Sequence, residues 1–88
     1  MQRITEKQLQ AVVDRINRIT NSPAEPYING KAQVGSYHIS YAYGGVCLHR
    51  IANEGGGVSS PLSSGHVPKR ELYNLMQSFI SGLNEVAA

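Results

Sequence analysis

Little in this sequence can hold a fold together covalently or carry it across a membrane. There is one cysteine, Cys47, so no internal disulfide can form, and a lone thiol fits a reducing compartment. Tryptophan is missing and phenylalanine occurs once, which leaves most of the aromatic bulk to five tyrosines. No stretch approaches the roughly 18 apolar residues of a membrane span. The opening MQRITEKQLQ also lacks the apolar run of a signal peptide. Excess charge is missing too: only 16% of residues are charged and the formal net charge is +2. That balance is thinner than the dense basic face of a protein held to phosphates by charge alone. A soluble, cytoplasmic chain with no membrane partner is expected, and nucleic acid is left open.

What is present supports a small globular domain. The 88 residues are 41% hydrophobic, enough for one core and for one domain spanning 1–88. A core of this size rarely supplies more than about 3–5 kcal/mol. With no disulfide to assist it, a homo-oligomer is expected.

The first helix has a capping box, Thr5 with Gln8, in which each side chain serves an orphan amide of the other residue. Ile4 and Leu9 fall at the positions of a hydrophobic staple. Leu9, Val12, Val13, Ile16 and Ile19 then recur at helical spacing. Asp14 and Arg18, four apart, are placed to pair on the outer side, and Arg15 and Arg18 read as a solvated face. Asn21-Ser22-Pro23 ends the helix. A connector follows in which Asn29-Gly30 signals a turn that lets Tyr27-Ile28 pair with the chain beyond it.

From Val34 the period becomes two. Tyr37, Ile39, Tyr41 and Tyr43 alternate with His38, Ser40 and Ala42; after Gly44-Gly45, Val46, Leu48 and Arg50 alternate with Cys47, His49 and Ile51. This predicts a hairpin turning on Gly44-Gly45, with Tyr43 opposite Val46, Tyr41 opposite Leu48 and Ser40 opposite His49. The tyrosines, Ile39, Val46 and Leu48 share the face against the helices; His38, Ser40, Cys47 and His49 share the other. Residues 52–67 have no period and read as a long Gly/Ser loop, anchored by Val58 and Leu62, with a short third strand near Gly57–Ser60. The last helix begins near Pro68, a residue that suits the first helical position, with Leu72, Leu75, Met76, Phe79, Ile80 and Leu83 as its stripe and Gly82 marking where it frays. The fold class is α+β: a helix, a hairpin or small antiparallel sheet, a long loop and a helix, with both helices on one face of the sheet.

The chemistry-bearing residues concentrate between Tyr37 and Glu71, which holds all three histidines and the cysteine. Lys69 and Arg70 break a local rule, because cations in the first turn face the positive end of the helix dipole. An anion held there would reverse that penalty. Gly55, Gly56 and Gly57 suit close backbone approach to such an anion; Ser59 offers a hydroxyl and His66 a ring just outside the helix start. The competing reading is two solvated cations beside a proline-started helix. Neither a Walker A loop nor a dinucleotide fingerprint is present.

Other constellations carry less. His38, Cys47 and His49 offer zinc-type donors on one face but no fourth ligand, so no metal is assigned. Cys47 with His49, or Glu54 with His66 and Glu71, would need an oriented base and an oxyanion site that nothing locates, so the reading is non-enzymatic with no cofactor. Tyr37, Tyr41 and Tyr43 are able to stack on bases, but the same alternation is what a packed face requires.

The blocks YHISYAYGGVCLHR, NEGGGVS and GHVPKRELY resemble those of small uncharacterised proteins encoded by tailed bacteriophages and prophages. The likeness covers about residues 37–73 and, more loosely, the first helix. It implies a phage accessory protein in the bacterial host cytoplasm, of the kind that counters host defence or adjusts host regulation, and it transfers no site residues. The expectation drawn from all of this is a non-enzymatic, oligomeric binding module for a small anionic, nucleotide-like ligand. The alternative is a protein–protein or nucleic-acid interaction module that acts on a host factor.

Overall fold

The two apolar stripes form helices where their periodicity puts them. The computed structural model describes residues 3–87. Helix α1 spans Glu6–Ile19 and helix α2 spans Lys69–Ala87. At the head of α1, Thr5 Oγ1 accepts from the Gln8 amide (3.1 Å) and Gln8 Oε1 from the Thr5 amide (2.8 Å), completing the capping box. Its exit is a Schellman closure. The Asn21 amide donates to the Arg18 carbonyl and the Ser22 amide to that of Asn17. Asn21 sits at φ 55° to allow it, so this cap, placed just ahead of Pro23, ends the helix. Asp14 accepts from Gln10 Nε2 (3.0 Å), the residue on the turn before it, rather than pairing with Arg18.

Strands β1 (Tyr27–Ile28) and β2 (Lys31–Ala32) form the expected small hairpin around Asn29-Gly30, both at positive φ. The main sheet has three antiparallel strands in the order β3 (Tyr37–Ala42), β4 (Gly45–Ile51), β5 (Val58–Ser59). Its register corrects the expectation. The turn residues are Tyr43 and Gly44, so Ala42 pairs with Gly45, Tyr41 with Val46, Ser40 with Cys47, Ile39 with Leu48 and His38 with His49.

The reason lies in Gly45. A Cβ built there would stand 3.0 Å from the His66 and Val67 backbone. That backbone crosses at this point to exchange two hydrogen bonds with Val46 (2.8 and 2.9 Å). The residue without a side chain is needed in the strand, and Tyr43 takes the turn. Moving a two-residue turn by one position changes the pairing by two, which preserves which side chains share a face.

Both helices pack on one face of the sheet. Leu9, Val12, Val13 and Ile16 of α1 and Leu72, Met76 and Ile80 of α2 close over Tyr37, Val46 and Leu48. Tyr37 and Phe79 meet with ring centres 6.0 Å apart, tying the sheet to α2. Helix α2 starts beside Pro68 as expected, with the Pro68 carbonyl accepting from the Leu72 amide, and it runs past Gly82 without ending there. Leu62 packs against the core as expected, whereas Val58 is exposed because two strand residues at a sheet edge leave it nothing to pack on.

Candidate histidine face

The predicted anion site does not assemble as one unit. Gly55, Gly56 and Gly57 form the turn between β4 and β5, at the Ile51 end of β4. There the Gly56 amide donates to the Asn53 carbonyl (3.1 Å) and the Gly57 amide to Asn53 Oδ1 (3.0 Å). The start of α2 lies at the other end of β4, where Val67 bridges Val46. Six residue steps separate Gly45 from Ile51, about 20 Å at the strand rise of about 3.3 Å. One phosphate-sized ligand cannot touch both ends, and Asn53 already uses two of the three glycine amides. Ser59, opposite Arg50 in β5, belongs to the glycine end.

His66, Lys69 and Arg70 remain together at the α2 end. Lys69 Nζ lies 4.0 Å from Glu6 Oε1, an exposed pair between the two helix starts. Glu6 therefore offsets part of the dipole penalty that the sequence exposes at Lys69. Beside this pair is an open groove of about 380 Å³ lined by Glu6, Tyr41, Gly44, Gly45 and Lys69.

What the fold brings together instead is a row of histidines on the outer face of the sheet. The rings of His38 and His49 stand edge to face with centres 5.7 Å apart, and those of His49 and His66 do so at 6.0 Å. His66 reaches this row because its backbone crosses above Gly45. Its Nε2 lies 3.1 Å from Ser40 Oγ, and its ring meets that of Tyr43 edge-on at 5.6 Å. Among the described residues these rings meet one another, a serine and a tyrosine, with no carboxylate among them. Burial holds His38 below the usual imidazole range, and the neighbouring charge of His49 adds to this. Burial does the same to His49, with His66 as the second cause. At neutral pH both rings favour the uncharged form.

The same geometry disposes of the other constellations. Cys47 is buried, its thiol directed at the Leu48 carbonyl (3.6 Å) and near the Ser60 hydroxyl (4.0 Å) rather than at His49. Glu54 lies in the β4–β5 turn, at the far end of β4 from His66. Among the described residues no three His, Cys, Asp or Glu side chains are gathered so as to hold a metal ion.

The tyrosines divide. Tyr37 is packed, Tyr41 is 55% exposed and Tyr43 is 96% exposed. Tyr43 holds φ 54°, a conformation seldom adopted by a bulky residue. Sequence reasoning missed its position because Gly44-Gly45 is the stronger turn signal. The signal that would have found it is the pairing of His66-Val67 with Val46, which is not local.

No protein-family model, curated protein or solved structure matches the chain. Among the described residues, no helix is long and apolar enough to cross a membrane.

Proposed function

We propose that this protein is a non-enzymatic binding module for a small anionic, nucleotide-like ligand, seated where Tyr43, His66 and the start of α2 meet. The observation that carries this reading is Tyr43, almost wholly exposed at a strained turn position and braced edge-on by His66. Strain of this kind costs about 1–3 kcal/mol and is commonly kept where a ligand uses the residue. The exposed phenol ring offers a stacking platform for a base, worth about 1–3 kcal/mol by removal of the ring. The Ser40 hydroxyl and the His66 imidazole supply hydrogen bonds. Lys69 and Arg70, in the first turn of α2, supply positive charge at a helix start, where the dipole favours an anion. The resemblance to phage-encoded proteins suggests a bacterial cell as the setting.

Calorimetric titration with inorganic phosphate, AMP and ADP tests the reading. Saturable nucleotide binding is expected, weakened about tenfold in Tyr43→Ala, in keeping with one lost stacking contact. Phosphate binding is expected to survive that change and to disappear in Lys69→Ala/Arg70→Ala. No heat from any of the three, or equal nucleotide affinity in Tyr43→Ala, would overturn it.

A second reading rests on β3 as an edge strand. Strand alternation turns the backbone groups of Ile39 and Tyr41 the same way as those of Tyr37, away from β4 and toward the open edge. No charged Lys, Arg, Asp or Glu guards residues 37–46. Such an edge accepts an added strand from a second copy or from a host protein. Native mass spectrometry distinguishes these outcomes. A strictly monomeric species that captures no partner counts against this reading.

A further inference from the structure

We propose that His38 and His49 form a two-histidine chelate for a borderline divalent cation of the Zn2+, Ni2+ or Cu2+ class on the outer face of the sheet. The two residues are directly opposed in the β3–β4 register, so their side chains leave the sheet side by side. Their ring centres are 5.7 Å apart and their planes are nearly perpendicular. With metal–nitrogen bonds of about 2.0–2.1 Å, two imidazoles on one tetrahedral ion place their centres about 5–6 Å apart. The observed pair already has that spacing.

His38 Nδ1 is enclosed by the protein and has no hydrogen-bond partner among the described residues, so the ion is assigned to Nε2, the ring nitrogen that is not enclosed. The donor set selects the class of ion, since imidazole without carboxylate suits borderline transition metals and not Mg2+ or Ca2+.

Two ligands is the number the geometry supports. Cys47 shares this face but its thiol is buried and turned to the Leu48 carbonyl. His66 is 6.0 Å from His49, and its Nε2 is engaged with Ser40. The remaining coordination positions fall to water, which makes this a surface chelate rather than a closed structural site. It stands apart from the nucleotide reading, which rests on Tyr43, His66 and Lys69.

The test uses the full chain freed of any affinity tag, titrated with NiCl2, ZnCl2 and CuCl2 by calorimetry while histidine ring resonances are followed by NMR. One ion per chain is expected, with the His38 and His49 rings shifting first and MgCl2 without effect. His38→Gln and His49→Gln should each weaken binding about tenfold or more, while His66→Gln stays within about threefold. Circular dichroism of each variant confirms that it is folded. No saturable binding by any of the three ions, or affinity unchanged in His38→Gln or His49→Gln, overturns the site. So does an equal loss in His66→Gln, which would mean a different ligand set. Phosphate and nucleotide titrations in the presence of a chelator report on the other reading independently.

Discussion

The side-chain amide of Asn17 closes both backbone hydrogen bonds of Tyr37. Its Oδ1 accepts from the Tyr37 amide at 2.8 Å and its Nδ2 donates to the Tyr37 carbonyl at 3.1 Å. Asn17 is 2% exposed, on the buried side of α1, and Tyr37 opens the edge strand of the sheet. A helix side chain thus plays the part of a missing fourth strand for one residue. That arrangement locks α1 to the sheet at a single register.

Removing this amide leaves two buried backbone groups unpaired, each costing about 1–3 kcal/mol. Asn17→Leu is therefore expected to lower stability by about 2–4 kcal/mol in urea unfolding, a large share of the total for a domain this small. Asn17→Asp keeps the acceptor but sets a carboxylate against the Tyr37 carbonyl, so it should be no milder. A loss under about 0.5 kcal/mol, the usual range for surface changes, would show that water replaces the amide.

Three glycine substitutions should separate by environment. In Gly45→Ala the new methyl meets Val67 backbone at 3.0 Å, which forces the crossing segment to move, and a loss of about 1–3 kcal/mol is expected. Gly82→Ala enters open space in the middle of α2 and should raise stability by about 0.5–1 kcal/mol. Gly44→Ala also has room, but φ +73° makes it unfavourable. Thermal melts of the three rank them, and an unchanged melting point in Gly45→Ala would mean the His66-Val67 crossing is loose.

Tyr43→Asn converts the turn to Asn-Gly, the pair best suited to two consecutive positive-φ positions. The variant is expected to melt higher than the parent while binding AMP more weakly. Stability and function would then pull in opposite directions at one residue. A lower melting point would show that the contact with the His66 ring outweighs the relief of strain.

Acid should weaken the fold through the histidine row. His38 and His49 have folded pKa values below the unfolded value of about 6.5, so the unfolded chain binds more protons once pH drops under that value. Their full contribution is present above about pH 6.5 and is lost as pH falls through the folded values. The groups facing them are each other and His66. Denaturant midpoints measured from pH 8 to 5 with a chelator present should decline, and the decline should flatten in His38→Gln/His49→Gln. An equal slope in that double variant would place the acid sensitivity elsewhere.

The residues alone were sufficient for every feature decided by neighbours along the chain. Thr5 and Gln8 cap α1, the stripes from Leu9 to Ile19 and from Leu72 to Leu83 form the helices, and alternation divides the sheet faces. These follow from local hydrogen bonding and from periods of 3.6 and 2, which need no knowledge of the rest of the molecule. For the strand residues the division of faces survived an error in the turn, because shifting that turn by one residue preserves parity. Tyr43, expected against the helices, instead leaves the strand for the turn and meets His66, and Tyr41 is largely exposed. Tertiary structure decided the rest, wherever two segments distant in sequence compete for the same space. Only the passage of His66-Val67 over Gly45 puts Tyr43 in the turn, sets His38 opposite His49 and carries His66 into the row. Only the length of β4 separates the glycine turn from Lys69 and Arg70, which are neighbours in sequence composition but stand at opposite ends of a strand.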